Sequence, residues 1–497
     1  MKKIFFVLLI LAAVQMGCTK LDDVLYDRVP PSEYVADPVL KMSPIYAPMR
    51  DFCDWGGWWF ANEIPGDGTV GPTRASDWDD GGKWRVLHQH TWDNNTEAIN
   101  SMWSRYYNGV IEANKFIEEM QSLGDAQPIK VAIAKAKVLR AYYYYLLIDN
   151  YKDVPYVTKY LDAPLNPSRN FRQDIFAKIT ADIEKEAPII PPSNTKTGVT
   201  KGFAYSLLAR LYLNAQVYTG TAQWQKAVQY ADSVINLGQY SLEEDPLKPF
   251  VTNNSNSPEL IFVIPYDEDK YTGFNLHMRT LHYNSNLTFN MTAGPWNGFA
   301  AMNDHYNTYA DNDKRKQGYF LVGQQYTADG QPIKDQGAGG ANLIFDPVIP
   351  ALNMDASFTP VQIRMSGARV KKFEIKMGAK DNLSNDFPLF RYADVLMMKG
   401  EALVRLGQNG DAFINPIRQR SGLAPLTNAT LDDFLAERGR EFFWEAHRRS
   451  DLIRHGKFNR AWWEKSVSSP DRNTFPIPQW AIDANPKLAE PPVAIAP

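Results

Sequence analysis

The chain has 497 residues, and its 53 lysines and arginines nearly balance its 56 aspartates and glutamates. This balance argues against nucleic acid as the main partner, because binding to phosphates requires a basic surface. The length allows one large core or two to three domains. Seven of the 13 tryptophans fall between Trp55 and Trp103, a clustering that burial in a core does not readily explain.

The N-terminus has the features of an export signal. Two lysines precede an unbroken apolar run from Ile4 to Val14, which is too short to span a bilayer, since a spanning helix needs about 20 residues. Gln-Met-Gly and then Cys18 follow this run. Residues 1–17 are therefore predicted to be a lipoprotein signal peptide, with Cys18 acylated. Ordinary secretion with cleavage nearby remains the alternative, because Gln15 stands where such signals usually carry an aliphatic residue.

Residues 18–40 are polar and contain a proline pair, which predicts a lipid-anchored flexible tether. No later stretch reaches about 18 consecutive apolar residues, so the mature chain is not expected to span a membrane. The chain has two cysteines. If Cys18 is acylated, Cys53 has no partner for a disulfide, and it is predicted to be a small buried thiol.

Helical patterns dominate residues 97–239. Apolar residues from Ile99 to Ile117 recur close to every 3.6 positions, and several further segments show the same period. Within residues 200–238, two helices joined by a short turn carry small residues between large aromatic ones. This arrangement resembles a tetratricopeptide unit, and the short connections predict a stack of antiparallel helices.

Two regions depart from this helical pattern. Residues 41–96 are rich in Trp, Gly and Asp, and residues 240–387 are loop-rich with short apolar runs that predict a few strands. Residues 388–497 return to helices and end in an extended, proline-rich tail. The predicted fold is mainly α: a tetratricopeptide-like helical-repeat scaffold with an inserted irregular lobe and few short strands, forming one domain overall.

Three patterns that suggest enzymes or cofactors have simpler interpretations. Gly66-Asp-Gly-Thr-Val-Gly71 matches a dinucleotide-binding pattern, but it lacks the preceding strand and the following helix. His88 and His90 are predicted to form hydrogen bonds rather than to bind a metal. Glycosidases use paired carboxylates. Here arginines alternate with the three glutamates of one segment, which favours an ion-paired helix; these glutamates are Glu437, Glu441 and Glu445.

The aromatic and polar residues of the front region suggest sugar binding. A sugar ring stacks its apolar face on an aromatic plane, and its hydroxyls pair with Asp, Asn and Arg. The same chemistry recurs in a Gly-Pro-Trp-Asn-Gly segment of the irregular lobe, and Trp55 is a further candidate beside Asp54. Some of these tryptophans are instead expected to anchor loops, and the adjacent Trp58 and Trp59 should point in different directions. The candidate ligand-binding residues are Arg74, Asp77, Trp78, Asp80, Trp84, Trp296, Asn297 and Trp55.

Several segments, in order along nearly the whole chain, resemble the SusD/RagB family of surface lipoproteins. They include the Met-Gly-Cys18 motif, KAKVLRAYYYYLLIDNYKDVPYV, TKGFAYSLLARLYLNA, FPLFRYADVLMMKGEAL, ERGREFFWEAHRRSDLIRHGKF and FPIPQWAIDANPKL. The final AEPPVAIAP departs from the ending that the family usually has. Ligand-binding aromatics are poorly preserved in the family, so the candidate residues rest on local chemistry alone.

The resemblance implies a protein on the outer face of the outer membrane that takes part in polysaccharide utilisation and nutrient uptake. It would bind oligosaccharides without cleaving them and act as a lid on a SusC-like TonB-dependent transporter. No cofactor is expected, although the Asp-rich loops leave a structural calcium ion open. The alternatives are capture of peptides by the same lid mechanism, a scaffold without affinity for glycans, and a glycoside hydrolase.

Overall fold

A computed structural model describes residues 38–54 and 57–495. The α-helices, numbered in chain order, are α1 Ser43–Tyr46, α2 Trp58–Glu63, α3 Lys83–Gln89, α4 Glu97–Ser122, α5 Gln127–Tyr151, α6 Arg172–Glu186, α7 Lys201–Leu213, α8 Ala215–Thr219, α9 Trp224–Ile235, α10 Leu276–Thr280, α11 Asn286–Phe289, α12 Asn303–Tyr306, α13 Lys314–Tyr319, α14 Pro360–Met365, α15 Tyr392–Arg405, α16 Asp411–Arg420, α17 Leu431–Glu441, α18 Arg448–Arg454 and α19 Gln479–Ala484. The strands are β1 Thr69–Val70, β2 Thr73–Arg74, β3 Leu260–Ile264, β4 Ala300–Ala301, β5 Phe320–Leu321, β6 Gly323–Gln324, β7 Lys334–Asp335, β8 Ala341–Asn342, β9 Ile344–Phe345, β10 Asn353–Met354, β11 Arg369–Val370 and β12 Phe387–Arg391.

Long helices that pack on their neighbours form the scaffold. Helix α4 packs along α5 and α5 along α6, while α9 packs against both α7 and α15. The four consecutive tyrosines Tyr142 to Tyr145 of α5 are all buried, so α5 lies in the interior. At the contact between α4 and α5, a Cβ on Gly109 would come within 2.2 Å of the Tyr143 ring, which explains the glycine there. The predicted mainly α, tetratricopeptide-like fold is confirmed.

The strands form short two-stranded ladders among the described residues. The longest pairs β12 with β3 in antiparallel register, with Phe387 opposite Ile264 and Arg391 opposite Leu260. Residues 388–391 were predicted to begin the second helical part, which is wrong, because they belong to this strand. All five residues are buried, so the strand shows no alternation of apolar and polar residues: four apolar residues are followed by the buried Arg391.

The front region places aromatic residues in the core. The ring centroid of Trp58 lies 5.2 Å from that of Tyr106, whereas that of Trp59 lies 5.2 Å from that of Trp444. The two adjacent tryptophans therefore point in different directions, as predicted. Cys53 is a buried free thiol, again as predicted.

The C-terminal helical segment is interrupted. Helix α17 ends at Glu441 and α18 begins at Arg448, and between them Trp444 and Ala446 have positive φ angles of 66° and 59°. The carboxylate of Glu63 accepts hydrogen bonds from the backbone N–H groups of Trp444 and Ala446, at 3.0 and 2.9 Å. This distant contact stabilises a break that neither Gly nor Pro marks in the sequence. In the described part of the chain, no helix is both long and apolar enough to cross a bilayer.

Candidate functional site

Two half-buried aromatic rings of the irregular lobe and two exposed carboxylates of the front region are connected by direct contacts and through the buried Trp78 and Trp84. Trp296 and Tyr283 belong to the segment between α10 and β4, and Asp77 and Asp80 belong to the segment between β2 and α3. The hydroxyl of Tyr283 donates a hydrogen bond to the carboxylate of Asp77. Throughout, "the aromatic platform" means Trp296, Tyr283, Asp77 and Asp80.

A guanidinium group lies against each ring of the platform. The Cζ atom of Arg279 is 5.2 Å from the ring centroid of Trp296, and Arg279 is fully buried. The exposed part of Trp296 therefore faces away from Arg279. The Cζ atom of Arg364 lies 4.6 Å from the ring centroid of Tyr283, and Asp335 holds Arg364 through two hydrogen bonds of 2.5 and 2.8 Å. Both contacts have cation–π geometry, which fixes the rings in place.

Trp78 and Trp84 lie beneath the platform, not on it. Both were predicted to bind ligand, but their exposed fractions are 7% and 3%, so little of either ring is accessible at the surface. The indole N–H of Trp78 donates to the carbonyl of Trp296 at 2.6 Å, and that of Trp84 donates to Asp80 at 2.7 Å. A Cβ on Gly298 would come within 2.2 Å of the Trp78 ring. The two tryptophans thus hold the backbone and a carboxylate of the platform.

Arg74 and Asn297 are also buried, with exposed fractions of 2% and 0%. Arg74 donates from Nη1 to the carbonyl of Ile363 at 2.7 Å and from Nε to that of Gly298 at 3.2 Å. The side-chain amide of Asn297 donates to the carbonyl of Arg364 at 3.1 Å. These side chains join the loops that carry the platform, so the polar groups of these two predicted ligand-binding residues are engaged within the protein and not exposed at its surface.

The protonation state of Tyr283 makes it a donor. Burial, together with the hydrogen bond to Asp77, raises its pKa to about 12. The phenol is therefore protonated at neutral pH, which matches its hydrogen bond to a carboxylate. Sequence analysis missed Tyr283. The available signal was an aromatic residue between polar neighbours in the segment His282-Tyr-Asn-Ser-Asn286.

Two of the predicted positions, Trp55 and Cys18, lie outside the described residues. Asp54, which precedes Trp55, retains 45% side-chain exposure and lies 3.9 Å from Arg279 Nη2. The front segment thus reaches the residue that backs Trp296.

The histidine pair forms hydrogen bonds, as predicted. His88 Nε2 lies 2.8 Å from the carbonyl of Trp463, and His90 Nε2 lies 2.8 Å from that of Pro65. Burial lowers the pKa of His88 to about 4 and that of His90 to about 3, so both are neutral at physiological pH. No group of three or more His, Cys, Asp or Glu side chains suited to a metal ion occurs in residues 38–54 and 57–495.

The three glutamates are ion-paired, as predicted, but not within one helix: Glu445 lies beyond the end of α17, and most of the partners belong to other elements. Glu441 contacts Arg315 and Arg391 at 2.8 Å each and Arg420 at 2.5 Å. Glu437 and Glu445 are buried as well. Charges held in this way lack access to a substrate and act within the scaffold.

The chain matches two sequence profiles. The profile described as "SusD family" matches residues 258–493, and one described as "Starch-binding associating with outer membrane" matches residues 70–213. A similar relative is the starch-binding protein SusD of Bacteroides thetaiotaomicron, which is 23% identical over 474 residues, covering 86% of this chain and 84% of that protein. The SusD-like protein P38 of Formosa agariphila is 25% identical over 431 residues, covering 80% of each protein.

Solved structures share the fold. A SusD superfamily protein from Parabacteroides distasonis superposes with a TM-score of 0.75 at 19% identity, covering 93% of this chain and 99% of that one. Surface glycan-binding protein A from Bacteroides thetaiotaomicron, in complex with laminarihexaose, superposes with a TM-score of 0.71 at 19% identity, covering 91% and 97%. These structures show the shared fold, and the two sequence profiles and the curated relatives show that the chain belongs to the SusD/RagB family.

Proposed function

We propose that this protein binds glycans at the aromatic platform and passes them to a SusC-like TonB-dependent transporter in the outer membrane. The observation that carries the proposal is the half-buried Trp296, with Arg279 against its ring, beside Tyr283 and two exposed carboxylates. The relatives add support, since one is a starch-binding protein and another was solved with laminarihexaose.

The platform has the chemistry that a sugar chain requires. The apolar face of a sugar ring stacks on the open side of Trp296, and hydroxyl groups donate to Asp77 and Asp80. Each stacked ring contributes about 1 kcal/mol, so the affinity of a single platform is modest and release to a transporter is easy. Trp78, Trp84, Arg74 and Asn297 position the platform, a role that fits their burial.

We further propose that the protein is a lipoprotein facing the cell exterior, with its lipid on Cys18 and the following residues as a tether. A tethered binder beside a transporter raises the local concentration of its cargo. The large helical surface of the scaffold is the proposed docking surface for the transporter.

Alanine substitution of Trp296 tests the platform. Trp296→Ala removes the stacking surface, and we expect affinity for a bound glycan to fall about fivefold to tenfold, since about 1.4 kcal/mol corresponds to a factor of ten. Calorimetry against a panel that includes starch and laminarin oligosaccharides measures the change.

Trp480→Ala is the matched control, because Trp480 lies on α19 and is 48% exposed. Glycan affinity should be unchanged in this variant. Equal affinity in wild type and in Trp296→Ala would contradict the platform as the site, and release of reducing sugar by the purified protein would contradict a role in binding alone.

A further inference from the structure

A separate cleft, with a volume of about 340 Å³, lies between α17, α12 and the segment after α18. None of its lining residues belongs to the aromatic platform. Leu435 and Ala436 of α17 form part of one wall, and the half-buried Trp462 forms part of another. Small-molecule sites are concave and combine apolar walls with convergent polar groups, and this cleft combines apolar residues with a larger number of charged and polar ones.

A buried ion pair between Arg448 and Asp67 forms part of the lining of the cleft. Arg448 binds Asp67 at 2.5 Å from Nε and at 3.0 Å from Nη2. Its side chain passes between two glycines: a Cβ on Gly439 would come within 2.7 Å of Nη1, and one on Gly66 within 2.8 Å of Cγ. Burial raises the pKa of Asp67, but Arg448 and, more weakly, Arg460 hold that pKa well below its usual range. Asp67 is therefore ionised, and its charge is compensated within the protein.

Polar groups at the mouth of the cleft remain accessible. The side chain of Arg460 is 52% exposed while its Nη2 donates to Asp67 at 2.7 Å. Lys457 and Asp432 also line the cleft, with Nζ and Oδ1 3.7 Å apart. Asp304, which is exposed, is the fourth of these accessible polar residues.

The charges of the lining balance. Three carboxylates face three cationic side chains, and His305 adds none, because burial and the nearby Arg448 lower its pKa to about 3. An anion would meet Asp304 and Asp432, and a cation would meet Lys457 and Arg460. A neutral ligand with many hydroxyl groups can bind the carboxylates and the cationic side chains at once, since each hydroxyl can donate to a carboxylate and accept from a cation.

Trp462 offers a surface on which such a ligand can stack. The Nζ atom of Lys465 lies 4.0 Å from its ring centroid, and Lys465 is buried. The rings of His90 and Phe458 also pack on Trp462, with centroids 5.3 and 6.5 Å from its own, and the half-buried side chain lines the cleft. The platform has the same construction, with Arg279 behind Trp296.

We propose that this cleft is a second saccharide-binding site, which accepts one or two uncharged sugar units independently of the platform. Trp462 stacks on a sugar ring, Arg460 and Lys457 donate to its hydroxyl oxygens, and Asp304 and Asp432 accept from its hydroxyl groups. A protein with two separate sites binds a long polysaccharide more tightly than either site alone. Once one site holds the polysaccharide, binding of the same molecule at the second site is intramolecular.

The test uses the full protein carrying Trp296→Ala, so that the platform contributes little. Ligand-observed NMR and calorimetry with maltose, laminaribiose and cellobiose should show residual binding, with a dissociation constant in the millimolar range. Adding Ala436→Phe, a change at an exposed residue of the wall, should fill the cleft and weaken this binding at least fivefold. Arg460→Ala should have a similar effect without filling the cleft.

Ala181→Phe is the matched control, because Ala181 is exposed on α6, away from the cleft. It should leave residual binding unchanged. Loss of all disaccharide binding in Trp296→Ala, or residual binding that Ala436→Phe and Arg460→Ala leave intact, would overturn the second site. Wild type and Trp296→Ala that bind equally, both sensitive to Ala436→Phe, would support the cleft and refute the platform.

Discussion

Trp296, Trp78 and Trp84 share a residue type but differ in what surrounds their rings. Trp296 is half-buried with an open side, whereas the other two are buried and donate their indole N–H groups within the protein. Direct contact with a glycan is therefore proposed for Trp296, and positioning for the other two. Tyr283 adds a second ring, whose hydroxyl is bound to Asp77.

The two parts of Tyr283 should contribute unequally. Tyr283→Phe keeps the ring and removes only the hydroxyl, so we expect glycan affinity to fall less than about threefold, the loss of one modest hydrogen bond. Tyr283→Ala removes the stacking surface and should cost about fivefold or more. Calorimetry with the same oligosaccharide compares the two variants, and a larger loss for Phe than for Ala would contradict a stacking role.

Sequence chemistry predicted part of the proposed site. The pairing of aromatic with acidic residues pointed to Asp77, Asp80 and Trp296. The burial of Trp78 could not be predicted, because it depends on a carbonyl 218 residues later in the chain and on the missing Cβ of Gly298. Such contacts follow from tertiary packing and leave no local pattern.

At the scale of elements, a buried ion-pair network connects helices to strands. Glu441, the last residue of α17, contacts Arg315 of α13, Arg391 of β12 and Arg420 of α16. Each of the four side chains is at least nine-tenths buried. Removing one partner leaves the others buried without full compensation, which costs much more than loss of a surface pair.

Glu441→Gln should reduce the free energy of unfolding at pH 7 by about 3–5 kcal/mol. The arginines hold the pKa of Glu441 well below its usual range, against the effect of burial. A depressed folded-state pKa gives stability above the unfolded value of about 4.3, and this stability is lost as the pH falls. Wild type should therefore lose stability below about pH 4, and the variant should lose less there. Urea unfolding followed by circular dichroism measures the free energy of unfolding of both proteins as a function of pH. If the two proteins lost stability equally below pH 4, the role assigned to Glu441 would be refuted.

Sequence periodicity predicted the long helices well, since α4, α5 and α6 each bury a face or the whole helix. It failed at Phe387–Arg391, where a fully buried strand has no alternation. It failed again at residues 442–447, where Glu63 binds the backbone. In both places contacts between distant segments determine the local conformation.

At the scale of the whole molecule, the proposed lipid and the binding surfaces lie on separate parts of the chain. The platform residues belong to folded segments, whereas Cys18 precedes the first described residue by 20 positions. A tether of that length spans at most about 70 Å when fully extended. Anchoring and glycan binding should therefore be separable by mutation.

Cys18→Ala should move the protein from the membrane fraction to the soluble fraction of cells that express it. Immunoblotting of separated fractions measures the shift. Glycan affinity of the purified variant should equal that of wild type, because Cys18 is not part of the proposed binding surfaces. Continued membrane association of Cys18→Ala would contradict the lipid anchor.

The fully buried Arg279 behind Trp296 has a consequence for the part of a polymer that is recognised. A chain laid on the open side of the ring needs neither of its ends to enter an enclosed pocket. Recognition then depends on the number of consecutive sugar units in contact and not on a reducing or non-reducing terminus. An intact polysaccharide and its internal fragments should therefore compete for the same surface until the fragments become shorter than the platform.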